Sequence, residues 1–308
     1  MRRLVVAAIV ATGLVLPATS ASAQPDCVWR QAELPIPPDH QNPLVKGIGG
    51  DYTVASASYQ GHKILRWYRG QVAVVGTPSA EGFHSPVDVS SNGTVLATRD
   101  GRGYVTSLDG MHKFLPDPQP DVSATPVAIN GRGDVAGYAT VNGDAKLVLW
   151  SAPGYDEARI VGNGMPAGID DTGVIVTKNA ARYLSPGFAW PLPKPAGATS
   201  VFVSSYENGV AVGSARVDDR DRAVLWGANG TIRYVMPSGI GYSGSSQGTV
   251  FGLTGVNLPT IWRAGEQVPL PNPWPMYHAG FVTERDTLVG SYLDQGMWDP
   301  RVAEWSCG

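Results

Sequence analysis

The sequence predicts an all-β fold, a seven-bladed β-propeller whose first strand completes the last blade, and three observations carry that prediction. Gly and Pro are abundant, at 38 and 25 of 308 residues, which forbids long helices and favours short strands joined by turns. One strand-rich unit recurs with a period near 40 residues. The final copy lacks its fourth strand, and the N-terminus holds a spare one. Six blades is the alternative count.

The N-terminus is read first. Met1-Arg2-Arg3 is basic, Leu4 to Leu16 is an apolar run without a charge, and Ala21-Ser22-Ala23 offers small residues for cleavage. This is the pattern of a secretory signal peptide over residues 1–23. Its apolar run is too short to span a bilayer comfortably. Cys27 lacks the small apolar residues expected before a lipidated cysteine. The chain is therefore expected to be secreted, without a membrane anchor, as a single domain over residues 24–308.

The repeat is clearest in Val127-Ala-Ile-Asn-Gly-Arg-Gly-Asp-Val-Ala-Gly137, followed by Lys146-Leu-Val-Leu-Trp150 and Ala158-Arg-Ile-Val161. Alternating apolar runs read as strands with one packed face. The polar corner ending in Gly is turn chemistry. Trp at the end of the third strand is a large plate for packing between sheets. Blade one runs from Tyr52, blade two from Val87, blade four from Ala167, blade five from Val203, blade six from Tyr242 and blade seven from Ala279. The corner glycines Gly93, Gly133, Gly173, Gly209 and Gly248 are spaced 40, 40, 36 and 39 apart. Four strands at that period is the propeller signature.

Blade seven ends at Ser306-Cys307-Gly308. The segment Val28-Trp-Arg-Gln-Ala-Glu-Leu-Pro-Ile-Pro37 is similar to the close of blade six, Ile261-Trp-Arg-Ala-Gly-Glu-Gln-Val-Pro-Leu-Pro271. The N-terminal strand is thus expected to pair with the C-terminal one. Cys27 and Cys307 are the two cysteines, and in an oxidising compartment an even pair reads as a disulfide. It would stand in for the missing hairpin turn. For so long a loop a chain-entropy account gives an upper figure of about 5 kcal/mol.

The Ala-Ile-Asn-x-x-Gly-x-Val-x-Gly core, followed by a small-apolar-Leu-Trp strand, resembles the extracellular HAF repeats of secreted bacterial proteins. The resemblance is specific over Val127 to Trp150 and Val203 to Trp226 and looser in blades one, four and seven. The His-Ala-Phe triplet itself is absent, and Arg222-Ala223-Val224 stands where it would fall. The resemblance implies an exported, propeller-like protein and no catalytic residue.

Composition narrows the partners. Charged residues are 16% of the chain and the formal net charge is −3. No basic stripe suggests nucleic acid. Phosphate-loop, zinc-helix and nucleophile-elbow motifs are absent, so no cofactor or metal is implied. Asn92 and Asn229 match glycosylation sequons, yet Asn-Gly is also ordinary turn chemistry. Asp218-Asp-Arg-Asp-Arg222 reads as a solvated loop rather than a calcium site, because arginines interleave the carboxylates.

Propeller topology places the loops entering each blade and those joining second to third strands on one face. His40, His62, His84 and His278 map there, whereas His112 maps to the other side. Trp274, Tyr277 and Trp298 join them from blade seven, with Asp294 and Asp299 flanking Trp298. Neutral imidazole can ligate or act as a base, and paired carboxylates beside an aromatic plate suit a sugar. The competing reading is a surface whose loops merely collect polar residues. The expectation is a monomeric binding module for a protein, peptide or cell-envelope glycan. An extracellular hydrolase or lyase using the same face is the alternative.

Overall fold

The computed structural model describes residues 28–58, 62–79, 81–255, 257–268, 270, 280–293 and 299–307. These form 28 strands in seven antiparallel four-stranded sheets, with no helix among the described residues. The architecture is a seven-bladed propeller, and the alternative of six blades is corrected. The innermost strands are Gln41–Gly49, His84–Val89, Ala124–Ile129, Pro166–Ile169, Ala198–Glu207, Ile240–Gly244 and Phe281–Val282, for blades one to seven. Each touches the next in that order, and strands Leu288–Tyr292 and Arg301–Cys307 of blade seven touch the inner strand of blade one.

Closure follows the expected route. Trp29–Glu33 pairs antiparallel with Arg301–Cys307, with Trp29 opposite Cys307 and Glu33 opposite Ala303. Cys27 lies outside the described residues. Leu34 then donates its N–H to the Val302 carbonyl at 2.9 Å.

Burial is organised by interfaces. The described core falls into seven clusters, each spanning two neighbouring blades. Trp67, Trp150, Trp226 and Trp262 are fully buried at such seams. Their role as plates explains the third-strand ending. It also explains the proline that follows the fourth strand. The indole N–H of Trp67, Trp150 and Trp226 donates to the carbonyls of Pro35, Pro116 and Pro193 at 2.8, 2.8 and 2.9 Å. Each acceptor belongs to the preceding blade. Pro35 follows the borrowed N-terminal strand, so that strand takes the place of a true fourth strand.

The polar corner is also an inter-blade device. Ser90, Asn130, Asp170, Ser245 and Thr283 are buried. Each side chain accepts the backbone N–H four residues on, at 3.0, 2.8, 3.0, 3.4 and 3.3 Å. Asn130 Nδ2 also donates to the Asp170 carbonyl of blade four at 2.9 Å, and Asn92 Nδ2 donates to the Gly131 carbonyl of blade three at 3.1 Å. Gly93, Gly133, Gly173 and Gly248 supply the positive φ that the corner requires.

Candidate functional site

Two cavities stand out, and their linings are mostly residues that the sequence left unassigned. The first lies at the closing seam, on the connection from the borrowed strand into blade one. It is a groove of about 430 Å³ lined by Glu33 to Pro38, His40 to Pro43 and Asp299 to Arg301. Pro35, Pro37, Pro38 and Pro43 hold this segment extended and deprive it of N–H donors. The Trp67 indole anchors it at Pro35, and His40 closes a turn by donating its N–H to the Pro37 carbonyl at 2.9 Å. Glu33 accepts from the Tyr292 hydroxyl at 2.7 Å and from Arg301 Nη1 at 2.9 Å. Those contacts, the Tyr292 hydrogen bond first, hold its carboxyl below the usual range. One wall is therefore fixed before any ligand arrives.

The second cavity is the central channel, about 230 Å³. Its wall is made by a repeated irregularity. The inner strands of blades one to six share a one-residue slip of register against the second strand at equivalent positions, and those of blades one and five slip a second time nearer their start. The extra residue of a bulge is re-aimed out of the sheet. Here the six are Lys46, Val87, Val127, Ala167, Ser204 and Tyr242, and all six line the channel.

The position after each bulge contributes Asp88, Ser205 and Ser243 to the same wall. Asp88 accepts the N–H of Val89 at 2.8 Å and that of Ile129, in blade three, at 3.0 Å. Ser243 accepts the Val282 N–H of blade seven at 2.9 Å in the same way. Gly47 is required beside Asp88, because a Cβ there would meet Asp88 Oδ1 at 2.6 Å. Burial pushes the Asp88 pKa up to about 7 against the pull of the two N–H groups. Glu207, at the corner end of the channel, is raised well above the usual range by burial and then by the charges of Asp88, Glu284 and Asp171.

The sequence-derived candidates fall in different places. His84 opens the inner strand of blade two and is 3% exposed. Its Nδ1 lies 3.0 Å from the Tyr104 hydroxyl and its Nε2 lies 3.3 Å from the Glu81 carbonyl. It thus holds the start of blade two and lines neither cavity. Asp299 is exposed at the lip of the groove, and His40 lines it. The structure brings these two together and keeps His84 apart. His62 begins the third strand of blade one, with its side chain outside the described residues. Trp274, Tyr277, His278, Asp294 and Trp298 also lie outside them. His112 bonds Thr106 Oγ1 at 2.9 Å within blade two. Among the described residues no group of three or more His, Cys, Asp or Glu is placed to hold a metal ion. No described helix is long and apolar enough to cross a membrane.

Sequence reasoning missed the proline-lined groove and the place of Lys46 in the channel wall. The signal for the groove was present in the four prolines between Pro35 and Pro43. Lys46 carried none, because its direction depends on a register slip.

No protein-family profile and no curated protein matches the chain. Solved structures do. Virginiamycin B lyase from Staphylococcus aureus is 14% identical over 91% of this chain and 99% of its own, with a TM-score of 0.53. YCF48 bound to D1 peptide is 10% identical over 96% and 100%, with a TM-score of 0.53. A puromycin hydrolase is 14% identical over 85% of this chain and 51% of its own, with a TM-score of 0.57. Likeness at these identities carries the fold alone, that of a propeller.

Proposed function

We propose that this chain is a secreted, monomeric binding module of the HAF-repeat kind, which meets a protein, peptide or cell-envelope glycan through the face that carries the seam groove. The observation that carries the reading is the groove itself, about 430 Å³, with a wall of prolines and a Glu33–Arg301–Tyr292 brace. A prefixed recess that combines proline surface with the polar side chains of Glu33, His40, Gln41, Asn42, Asp299 and Arg301 suits recognition with little ordering cost. The Leu4 to Leu16 run supports export. Trp29 pairs opposite Cys307, only two residues after Cys27, which supports a Cys27–Cys307 disulfide at the seam.

The second reading is an extracellular lyase or hydrolase on the same face. The similar propellers include one bound to a peptide and others that act as a lyase and a hydrolase, so the scaffold serves both kinds of work. The test is to screen the purified mature chain on glycan and peptide arrays and then measure Asp299→Ala and Trp298→Ala variants on the best ligand. A loss of tenfold or more in affinity is expected for each. Unchanged affinity in both removes the face from the account, and a ligand recovered chemically altered supports the enzyme reading instead.

A further inference from the structure

Lys46 and Lys178 enter the channel from two blades. Lys46 is the bulge residue of blade one, so its side chain is turned towards the propeller axis. Lys178 follows the second strand of blade four. Its N–H bonds the Met165 carbonyl and its carbonyl takes the Val203 N–H, both at 2.9 Å, which fixes where its side chain starts. Neither ammonium has an ion pair or side-chain hydrogen bond among the described residues. Beside Lys178, in blade five, lies Ser204, whose hydroxyl is buried without a partner among the described residues. A buried hydroxyl left unpaired is costly and calls for an explanation. The Tyr242 side chain lines the same wall.

Two carboxyl groups, Asp88 and Glu207, share the cavity. Asp88 has its oxygens engaged by the N–H groups of Val89 and Ile129. Glu207 lies three residues beyond Ser204 along an extended strand, roughly 10 Å towards the corner end. Burial favours the neutral form of both. The half of the channel holding the bulge layer thus sets the ammonium groups of Lys46 and Lys178 and the Ser204 hydroxyl against one carboxyl, Asp88, whose oxygens are already engaged by backbone N–H groups.

We propose that this half of the channel binds a small anion, a carboxylate or phosphate group held between Lys46 and Lys178 and accepting the Ser204 hydroxyl. The cavity of about 230 Å³ holds several waters' worth of ligand, which suits a small metabolite or one anionic group of a larger one. The site goes beyond the groove reading and stands or falls separately, because small anions bind without any macromolecular partner.

The test is calorimetric titration of the mature protein with inorganic phosphate and, in a second arm, with citrate, at constant ionic strength set by chloride. Saturable one-site binding of at least one anion is expected, and the arm that responds identifies phosphate or carboxylate as the chemistry. Lys46→Met and Lys178→Met, which keep the apolar stems, should each weaken binding tenfold or more. Ser204→Ala should weaken it several-fold with an unchanged thermal melt, which keeps the test sound if a lysine variant folds poorly. No saturable response to either anion, or equal binding in well-folded variants of both lysines, overturns the proposal.

Discussion

Asp88 joins blade two to blade three while facing the channel, and its protonation can be read directly. Its oxygens accept the N–H of Val89 and Ile129, so those amide resonances report on it. They should titrate together with a midpoint near 7. A midpoint in the ordinary carboxylate range would contradict the burial assigned to this group. The sign for stability follows from the raised value. Between about 4 and about 7 the folded chain holds a proton that the unfolded chain has released. The Asp88 contribution is therefore largest at low pH and declines as pH rises to about 7, then stays flat. Asp286 has the opposite sign. Burial raises its pKa, but Thr249, Arg263 and Ser245 and the Arg263 charge hold it below the usual range. Its contribution is present at neutral pH and is lost as acid protonates it. At this scale the sequence was only partly legible. His84 opens the inner strand of blade two, and its burial against Tyr104, two strands away, is something that spacing along the chain does not reveal.

At the scale of the element, the repeat was readable because each piece has a local cause. The Gly corner needs a positive φ, and the Asn, Asp, Ser or Thr before it satisfies backbone N–H groups that the turn would leave unpaired. Trp and the later Pro form one contact between neighbouring blades. Trp150→Phe keeps an aromatic plate but removes the donor to Pro116. It should cost about 1–3 kcal/mol, measured as a lower midpoint in urea with an unchanged slope. An unchanged midpoint would mean the indole contributes by packing alone. In blades two and four Thr106 and Tyr183 stand where the others carry Trp, opposite Val95 and Ile175. The bulges were not legible at all. A slip of one residue is a property of a pair of strands, and neither strand announces it.

For the whole molecule, the number of blades followed from the corner spacing, and the borrowed strand from its likeness to the close of blade six. The groove and the channel were not foreseen. Both are assembled from segments far apart in sequence: Glu33 with Arg301 in one, Lys46 with Lys178 and Ser204 in the other. Their existence depends on the ring closing, since the seam groove is built on the joint and the channel is the space the closed ring encloses. The joint itself rests on the chain ends meeting in blade seven. A peptide map of the purified protein without reduction tests this most directly. The account predicts one species in which the peptides containing Cys27 and Cys307 are joined. Recovery of both cysteines as free thiols would contradict it.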